Sequence, residues 1–508
     1  MPIGLRELFQ GDVAASTGVG PSENPVAVLP DIEITGVEDD SRRVSPGNIF
    51  IARSGTKLSG RDFIPQAVQR GAVAIVSDTP LKDVGVVCIR VDDLPKTVGR
   101  IAHRFWNDPT RTLRVMAVTG TNGKTTIAYL TRSIFNSLNM RCGLIGTVEI
   151  DDGRTKTPSP MTTPGAVELA RLLAAMRDNG LAAVAMEASS HALDQDRLAG
   201  VNVSVAMFSN LTGDHLDYHG TMERYAAAKA KLFTGLQPDA WAVVNADDAY
   251  TPVMVQGSRA RVFTYGLKHQ ADLHAEVLKM DSTGMQLKVS LRGGESQLVS
   301  SPMVGLHNAQ NILCAMSGGI AAGFPMDQLA SAISLAPAAP GRLQRVGLPG
   351  MDGGNLPFAV FVDYAHTHDA LENVLTALRP LTRGRLICVF GCGGDRDRTK
   401  RPLMGAVAEK LADRVIITSD NPRSENPISI IDDILRGLSS RGRDATDTIP
   451  DRRAAIEAAV EMAEPDDTIL IAGKGHENYQ IVGNERRDFD DAQCAVEALR
   501  NKFSAAVK

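Results

Sequence analysis

Short apolar runs alternate along most of the chain with longer stretches in which apolar residues return every three or four positions. From about residue 112 the runs are "RVMAVT", "LAAVAME", "NVSVAMFS" and "AWAVVNADD", each separated from the next by a helix-length segment. Continuous apolar runs suit strands buried on both faces, and strands alternating with helices predict a parallel, doubly wound sheet. Between about residues 260 and 305 the texture changes. "LHAEVLKMDSTGMQLKVSLRGGESQLVS" alternates with period two and carries Gly at its turns, which predicts an antiparallel meander inserted in or packed beside that sheet. Helical periodicity resumes at "HNAQNILCAMSGGIAAG" and closes near residues 336–342. Before this region, "GNIFIA", "GAVAIVS" and "VGVVCIRV" alternate with two helical stretches and end in the turn-rich "NDPTRTLR"; after it, "FAVFVDY", "RLICVFG", "DRVIITS" and "TILIAG" repeat the α/β texture. The expectation is an α/β protein of three domains: a small N-terminal α/β domain (1–111), a central domain (112–341) and a Rossmann-like C-terminal α/β domain (342–508).

Composition narrows the class. At 508 residues the chain is too long for one core, and 43% hydrophobic with 22% charged residues describes a soluble globular protein. A net charge of −5 argues against nucleic-acid binding, while leaving room for a local basic pocket. No apolar run is long enough to span a bilayer, and "MPIGLRELFQ" does not read as a signal peptide, so a cytoplasmic protein without membrane insertion is expected. The six cysteines are scattered, mostly in apolar surroundings, and lack metal spacing; they read as reduced core residues.

The strongest chemical signal is "VMAVTGTNGKTTIAYL", a Gly-rich loop directly between a strand and a helix. Backbone amides of Gly120, Thr121, Asn122, Gly123, Lys124, Thr125 and Thr126 can cradle phosphates, with Lys124 reaching the terminal ones and Thr125 available to magnesium. The first glycine of the usual pattern is replaced by Val118, so this is a variant P-loop. Downstream, Glu187 ends a strand, His215 follows the next one, and Lys229 and Lys231 lie on a helix. Each has an ordinary reading: a cap or ion pair for the Glu, a structural hydrogen bond for the His, a solvated face for the lysines. In "SDNPRSENP" turn chemistry explains Asp420, Asn421 and Pro422. It leaves Arg423, a forked cation at a strand's carboxyl end, where α/β sheets bind ligands.

Taken in order, "TGTNGKTT", "MEASSHALDQDR", "NLTGDHLDYHG", "YAAAKAKLF", "GLHNAQN", "PGRLQRV", "DYAHTHDAL", "GCGGDRDRTKRPLM", "SDNPRSENP" and "AGKGHENYQ" resemble the motifs of the Mur ligases, across residues 40–482. The resemblance implies an ATP-dependent amide-forming ligase of peptidoglycan precursor synthesis, and hence of cell-wall biogenesis, cell shape and division. Its partners would be ATP, UDP-N-acetylmuramoyl-L-alanyl-D-glutamate and meso-diaminopimelate, joined through an acyl-phosphate, with magnesium as cofactor and a monomer as the working form. Residue by residue it implies Lys124, Glu187, His215 and a carbamylated Lys229 as catalytic, with Thr125, Glu187, His215 and Lys229 as metal ligands; Lys231 does not match the family position. Asn308, Asn311, Arg342, Asp363 and His366 would meet the adenosine.

For the UDP precursor it implies Asp39, Ser41, Thr56, Lys57, Leu58, Thr162, Thr163, Ser189, Gln195 and Arg197. For the amino acid it implies Arg396, Asp420, Asn421, Pro422, Arg423, Gly473 and Glu477. Family members that use diaminopimelate carry "DNPR" at this loop, because a guanidinium pairs with the second carboxylate of diaminopimelate and repels the terminal ammonium of lysine. Three positions depart from the family pattern: Met161, Gln344 and His368. The alternatives are a lysine-adding Mur ligase, a folylpolyglutamate synthetase-like ligase and, from another class, a nucleotide-dependent switch.

Overall fold

A computed structural model describes residues 2–10, 29–53, 59–81, 84–348 and 356–505. The chain separates into two compact units, Met1–Thr264 with Ser317–Gly323, and Tyr265–Met316 with Phe324–Lys508.

In the first unit the N-terminal strands Gly36–Glu38, Asn48–Ile51, Ala74–Ser77 and Val87–Arg90 form a parallel sheet in that order. Helix Leu94–Phe105 starts at Asp93, whose carboxylate accepts from the Lys96 amide, and buries Leu94, Val98, Ile101 and Ala102. The same core takes in Ala166, Val167 and Ala170 of helix Ala166–Asp178, so the small sheet shares its apolar face with the neighbouring domain. Arg171 pairs with Glu38 at 2.8 Å across that seam. Beside it runs a larger sheet ordered Lys156–Pro158, Glu149–Asp151, Cys142–Ile145, Ala183–Glu187, Arg114–Thr119, Val203–Phe208 and Trp241–Asn245. The last five strands are parallel. Register matters here: Glu187 stands opposite Val118 and Phe208 opposite Thr119. Three strand ends, and the loops that follow them, therefore open at one edge.

The second unit contains the meander, strands Leu273–Asp281, Gly284–Leu291 and Ser296–Ser301, antiparallel throughout. Its other sheet is ordered Gln344–Val346, Ala359–Asp363, Thr468–Ala472, Leu386–Phe390, Arg414–Ile417 and Thr446–Thr448; only the first pairing is antiparallel. The four inner strands are buried because helices cover both faces, giving two apolar clusters. Arg452 and Asp491 form a fully buried ion pair at 2.7 Å, and the same guanidinium donates to the carbonyls of Ala472 and Ser419. It thereby ties two strand ends to the final helix, Asp491–Ala505. All six cysteines are free thiols, five of them buried. Among the described residues no helix is long and apolar enough to cross a membrane. The short hairpin Tyr479–Val482 with Glu485–Asp488 has no counterpart in the sequence pattern, because its residues are half-buried or exposed and show no apolar alternation.

One core residue makes stability depend on pH. His103 is buried, neither ring nitrogen has a hydrogen-bond partner, and burial pushes its pKa from 6.5 down to about 4. In the unfolded chain the imidazole takes up its proton near pH 6.5, so between pH 6.5 and 4 the unfolded state binds more protons and stability falls as pH falls. His103→Leu is expected to flatten this dependence by up to ~3 kcal/mol at the acid end, measured by urea unfolding at pH 7 and at pH 4.5.

Candidate active site

The phosphate loop is held from below by the loop after Val203–Phe208. Thr121 N donates to the Asn210 carbonyl at 2.8 Å, Asn122 N to Asn210 Oδ1 at 3.0 Å, and Ser209 Oγ to the Asn122 carbonyl at 2.5 Å. Gly120 sits at φ +146°, and a Cβ there would lie 1.9 Å from Ser209 Oγ and 3.0 Å from the Asn210 carbonyl. Only glycine meets both demands. The Lys124 amine folds back onto the carbonyls of Gly120 and Thr121, at 2.9 Å each.

Glu187 is buried, yet its carboxylate has partners. It accepts from Thr125 Oγ1 at 3.1 Å, from Thr147 N at 2.8 Å and from Thr147 Oγ1 at 3.1 Å. Thr147 also reaches Thr162 Oγ1 at 3.0 Å, and Thr163 donates to the Glu187 carbonyl at 2.8 Å. Ser189 N donates to Thr163 Oγ1, Arg197 reaches the Thr163 carbonyl at 2.8 Å, and Gln195 accepts from Arg197 at 2.7 Å. Thr125, Glu187, Thr162, Thr163, Ser189, Gln195 and Arg197 thus form one connected set. Met161, a departure from the family pattern, places its sulfur 3.3 Å from the Arg197 guanidinium.

Lys229 is buried, with its amine 2.8 Å from the Gly120 carbonyl and over the Tyr225 ring, 4.5 Å from the centroid. Burial first, and the charge of Lys124 second, hold its pKa well below the ordinary lysine value. Lys231 behaves oppositely: it is exposed and pairs with Asp194 and Asp196. Tyr225, one helical turn before Lys229, hydrogen-bonds Thr121 Oγ1 at 3.1 Å. It was not singled out from the sequence, although the i, i+4 spacing to Lys229 is a signal that could have found it. His215 is more exposed, in a left-handed conformation at φ +52°. Its ring lies edge-on to His191 at 4.8 Å and 6.3 Å from the Tyr225 ring. The same unit holds Asp39, 3.6 Å from the Arg53 guanidinium, and Ser41, whose hydroxyl donates to Gln66 at 2.7 Å. Thr56, Lys57 and Leu58 lie outside the described residues.

In the second unit Asn311 Nδ2 donates to Asn308 Oδ1 at 3.0 Å, and Asn308 Nδ2 to the Val304 carbonyl. The Arg342 guanidinium lies over Tyr364, 5.0 Å from the ring centre. Asp363 accepts from the amides of Leu343 and Ala365; burial raises its pKa, and Arg342 opposes this. His366 is exposed, with Nδ1 2.9 Å from the Tyr364 carbonyl. Two further departures are absorbed locally. Gln344 accepts from the Gly341 amide at 2.9 Å, and His368 opens helix His368–Leu378 behind the Thr367 cap, a position whose amide has no partner within the helix.

The "DNPR" loop meets the "AGKGHE" loop. Asn421 Nδ2 donates to Glu477 Oε2 at 2.8 Å, and a Cβ on Gly473 would lie 2.9 Å from Asp420 Oδ2. Arg423, at φ +52°, bonds the Gly394 carbonyl through its guanidinium and Ile481 through its backbone. Gly393 lies beside both Arg423 and Arg396: a Cβ there would stand 2.9 Å from one and 3.8 Å from the other. Arg396 is exposed, and Pro422 is buried against Gly394.

Three family models match the sequence: "Mur ligase family, catalytic domain" at residues 33–106, "Mur ligase middle domain" at 118–318 and "Mur ligase, glutamate ligase domain" at 341–475. The UDP-N-acetylmuramoyl-L-alanyl-D-glutamate–2,6-diaminopimelate ligase of Synechococcus elongatus is 44% identical over 483 residues, 94% of this chain and 96% of that one. Its namesake from Thermosynechococcus vestitus is 45% identical over 476 residues, covering 93% and 94%. A solved structure of an enzyme with the same name is similar over 99% of this chain and 100% of its own, at 35% identity and a TM-score of 0.73.

The crowding at Gly120 generates a test. Gly120→Ala is expected to weaken nucleoside triphosphate binding at least about tenfold, since the strained backbone and the crowding against Ser209 and Asn210 each cost roughly 1–3 kcal/mol. Calorimetric titration with a non-hydrolysable ATP analogue measures it.

Proposed function

The chain belongs to the Mur ligase family, and from that premise we infer that it is an ATP-dependent ligase that adds meso-diaminopimelate to the D-glutamate γ-carboxyl of UDP-N-acetylmuramoyl-L-alanyl-D-glutamate. The observation that carries the choice of amino acid is the meeting of residues 420–423 with Gly473 and Glu477, in which Asn421 bonds the Glu477 carboxylate and so ties it to the loop that carries the Arg423 guanidinium. Diaminopimelate ends in a zwitterion that needs both. Relatives more than 40% identical over nearly the whole chain carry that substrate pair in their names, which favours this reading over the lysine-adding, folylpolyglutamate and switch alternatives.

In the reaction the γ-carboxylate attacks the γ-phosphorus of ATP, the bond to the bridging oxygen breaks, and ADP leaves. The diaminopimelate amine then attacks the acyl carbon, loses its proton, and displaces phosphate. Phosphoryl transfer asks the protein mainly for positioning and charge neutralisation. The phosphate loop supplies amides, and the Lys124 amine, now on two loop carbonyls, is the mobile positive charge. Asn308, Asn311, Arg342, Asp363 and His366 are assigned to the adenosine. Asp39, Ser41, Thr56, Lys57, Leu58, Thr162, Thr163, Ser189, Gln195 and Arg197 are assigned to the UDP precursor.

The donor set fits magnesium. The Thr125 hydroxyl and the Glu187 carboxylate share one place, and oxygen donors suit this ion. An ammonium at Lys229 would not serve, but burial favours its neutral form, the form that adds carbon dioxide to give a carbamate oxygen donor and a released proton. Thr125 and Glu187 would hold one ion, and Glu187, His215 and carbamylated Lys229 a second. Bound there, magnesium would neutralise phosphoryl oxygens in transit. The enzyme is assigned to the cytoplasm, as a monomer, in peptidoglycan precursor synthesis.

Phosphate release measured with the UDP-dipeptide and ATP should depend on meso-diaminopimelate, and lysine outperforming it would overturn the assignment. Arg423→Ala should raise the KM for diaminopimelate about 30-fold or more, the loss of a charge-assisted pair. At Lys229, protein supplied with labelled bicarbonate should show a carbamate carbon by NMR that is absent from Lys229→Ala. A spectrum without that signal would remove the carbamate.

A further inference from the structure

Lys474 has no role in the reading above, yet it is fully buried beneath the residues assigned to the amino acid. Its amine lies 3.2 Å from Asn421 Oδ1, 3.4 Å from Glu477 Oε2 and 3.6 Å from Asp420 Oδ1. Tyr479 closes the remaining side, its ring centre 5.5 Å from the amine. A lysine ammonium has three donors and no acceptor, and here three acceptors surround it. The network closes on itself, because Asn421 Nδ2 donates to the same Glu477 oxygen at 2.8 Å. It also extends to the guanidinium. Asn421 Oδ1 accepts from the Ile481 amide at 2.9 Å, and the Ile481 carbonyl accepts from the Arg423 amide at 3.0 Å.

We propose that Lys474 is a positioning residue that sets the amino-acid specificity of the site: it engages one oxygen each of Asp420 and Glu477 and leaves their second oxygens for the substrate's ammonium. The proposal rests on the diaminopimelate-adding function inferred above. The charge count shows why the residue matters. Two carboxylates face one built-in cation, so one negative charge is left for the substrate's ammonium, while Arg423 is left for its carboxylate. Without Lys474 the pocket gains a net negative charge. A bare terminal ammonium then meets a weaker positive field, and the zwitterionic end loses the arrangement that matches it. A lysine at this depth is seldom retained without partners of this kind.

The test uses the full-length enzyme and the variants Lys474→Met and Lys474→Gln, the second keeping a donor in case the first does not fold. In each, the KM for diaminopimelate should rise about 30-fold or more, and the ratio of kcat/KM for lysine to that for diaminopimelate should rise at least about tenfold. Thermal stabilisation by ATP should persist while stabilisation by diaminopimelate disappears. An unchanged lysine-to-diaminopimelate ratio would overturn the proposal, as would loss of ATP and diaminopimelate binding together, which would mark a purely structural lysine. An unaltered enzyme that prefers lysine would instead overturn the function on which the proposal rests.

Discussion

Two amines converge on one carbonyl oxygen, that of Gly120: Lys124 from the start of its helix at 2.9 Å, and Lys229 from the middle of another at 2.8 Å. Burial first, and then repulsion by the second positive charge on the same acceptor, drive Lys229 toward its neutral form. The carbonyl can face both amines only because residue 120 adopts a backbone conformation that a side chain would forbid. Tyr225 and Lys229, one turn apart on the same helix, grip consecutive residues of the loop. The shape of the phosphate loop and the protonation of Lys229 are therefore one problem with one solution.

The loops proposed to bind the amino acid invert this arrangement. There a single buried amine gathers Asp420, Glu477 and the side-chain carbonyl of Asn421, and the loops approach closely at Gly473 and Gly393. In both places a buried amine is tolerated because acceptors surround it, and those acceptors fix its direction. The Arg452–Asp491 pair extends the same logic. It holds the carbonyls immediately before Asp420 and Gly473, and so bears on the geometry of both loops.

Much of this was legible in the sequence because it is local. The phosphate loop, the parallel strands and the meander are each written in one continuous stretch, with periodicity and glycine placement enough to identify them. Glu187 was ambiguous for the opposite reason: its meaning depends on register, which puts it opposite Val118 and within reach of Thr125. Lys229 and Lys231 look alike in "AAAKAKLF", and two positions along a helix turn one inward and the other to solvent. Lys474 stood inside a recognised motif and still passed unnoticed, since nothing in the sequence says that three acceptors come from distant segments to meet it. The departures Met161, Gln344 and His368 likewise needed the folded structure, in which each finds a local partner or position.

Arg423 keeps a left-handed backbone that glycine or asparagine would adopt more readily, at a cost of roughly 1–2 kcal/mol. The loop is thus less stable with arginine at this position than it would be with either of those residues. A substitution chosen for stability alone would exchange arginine here first, and the proposed grip on a substrate carboxylate would go with it.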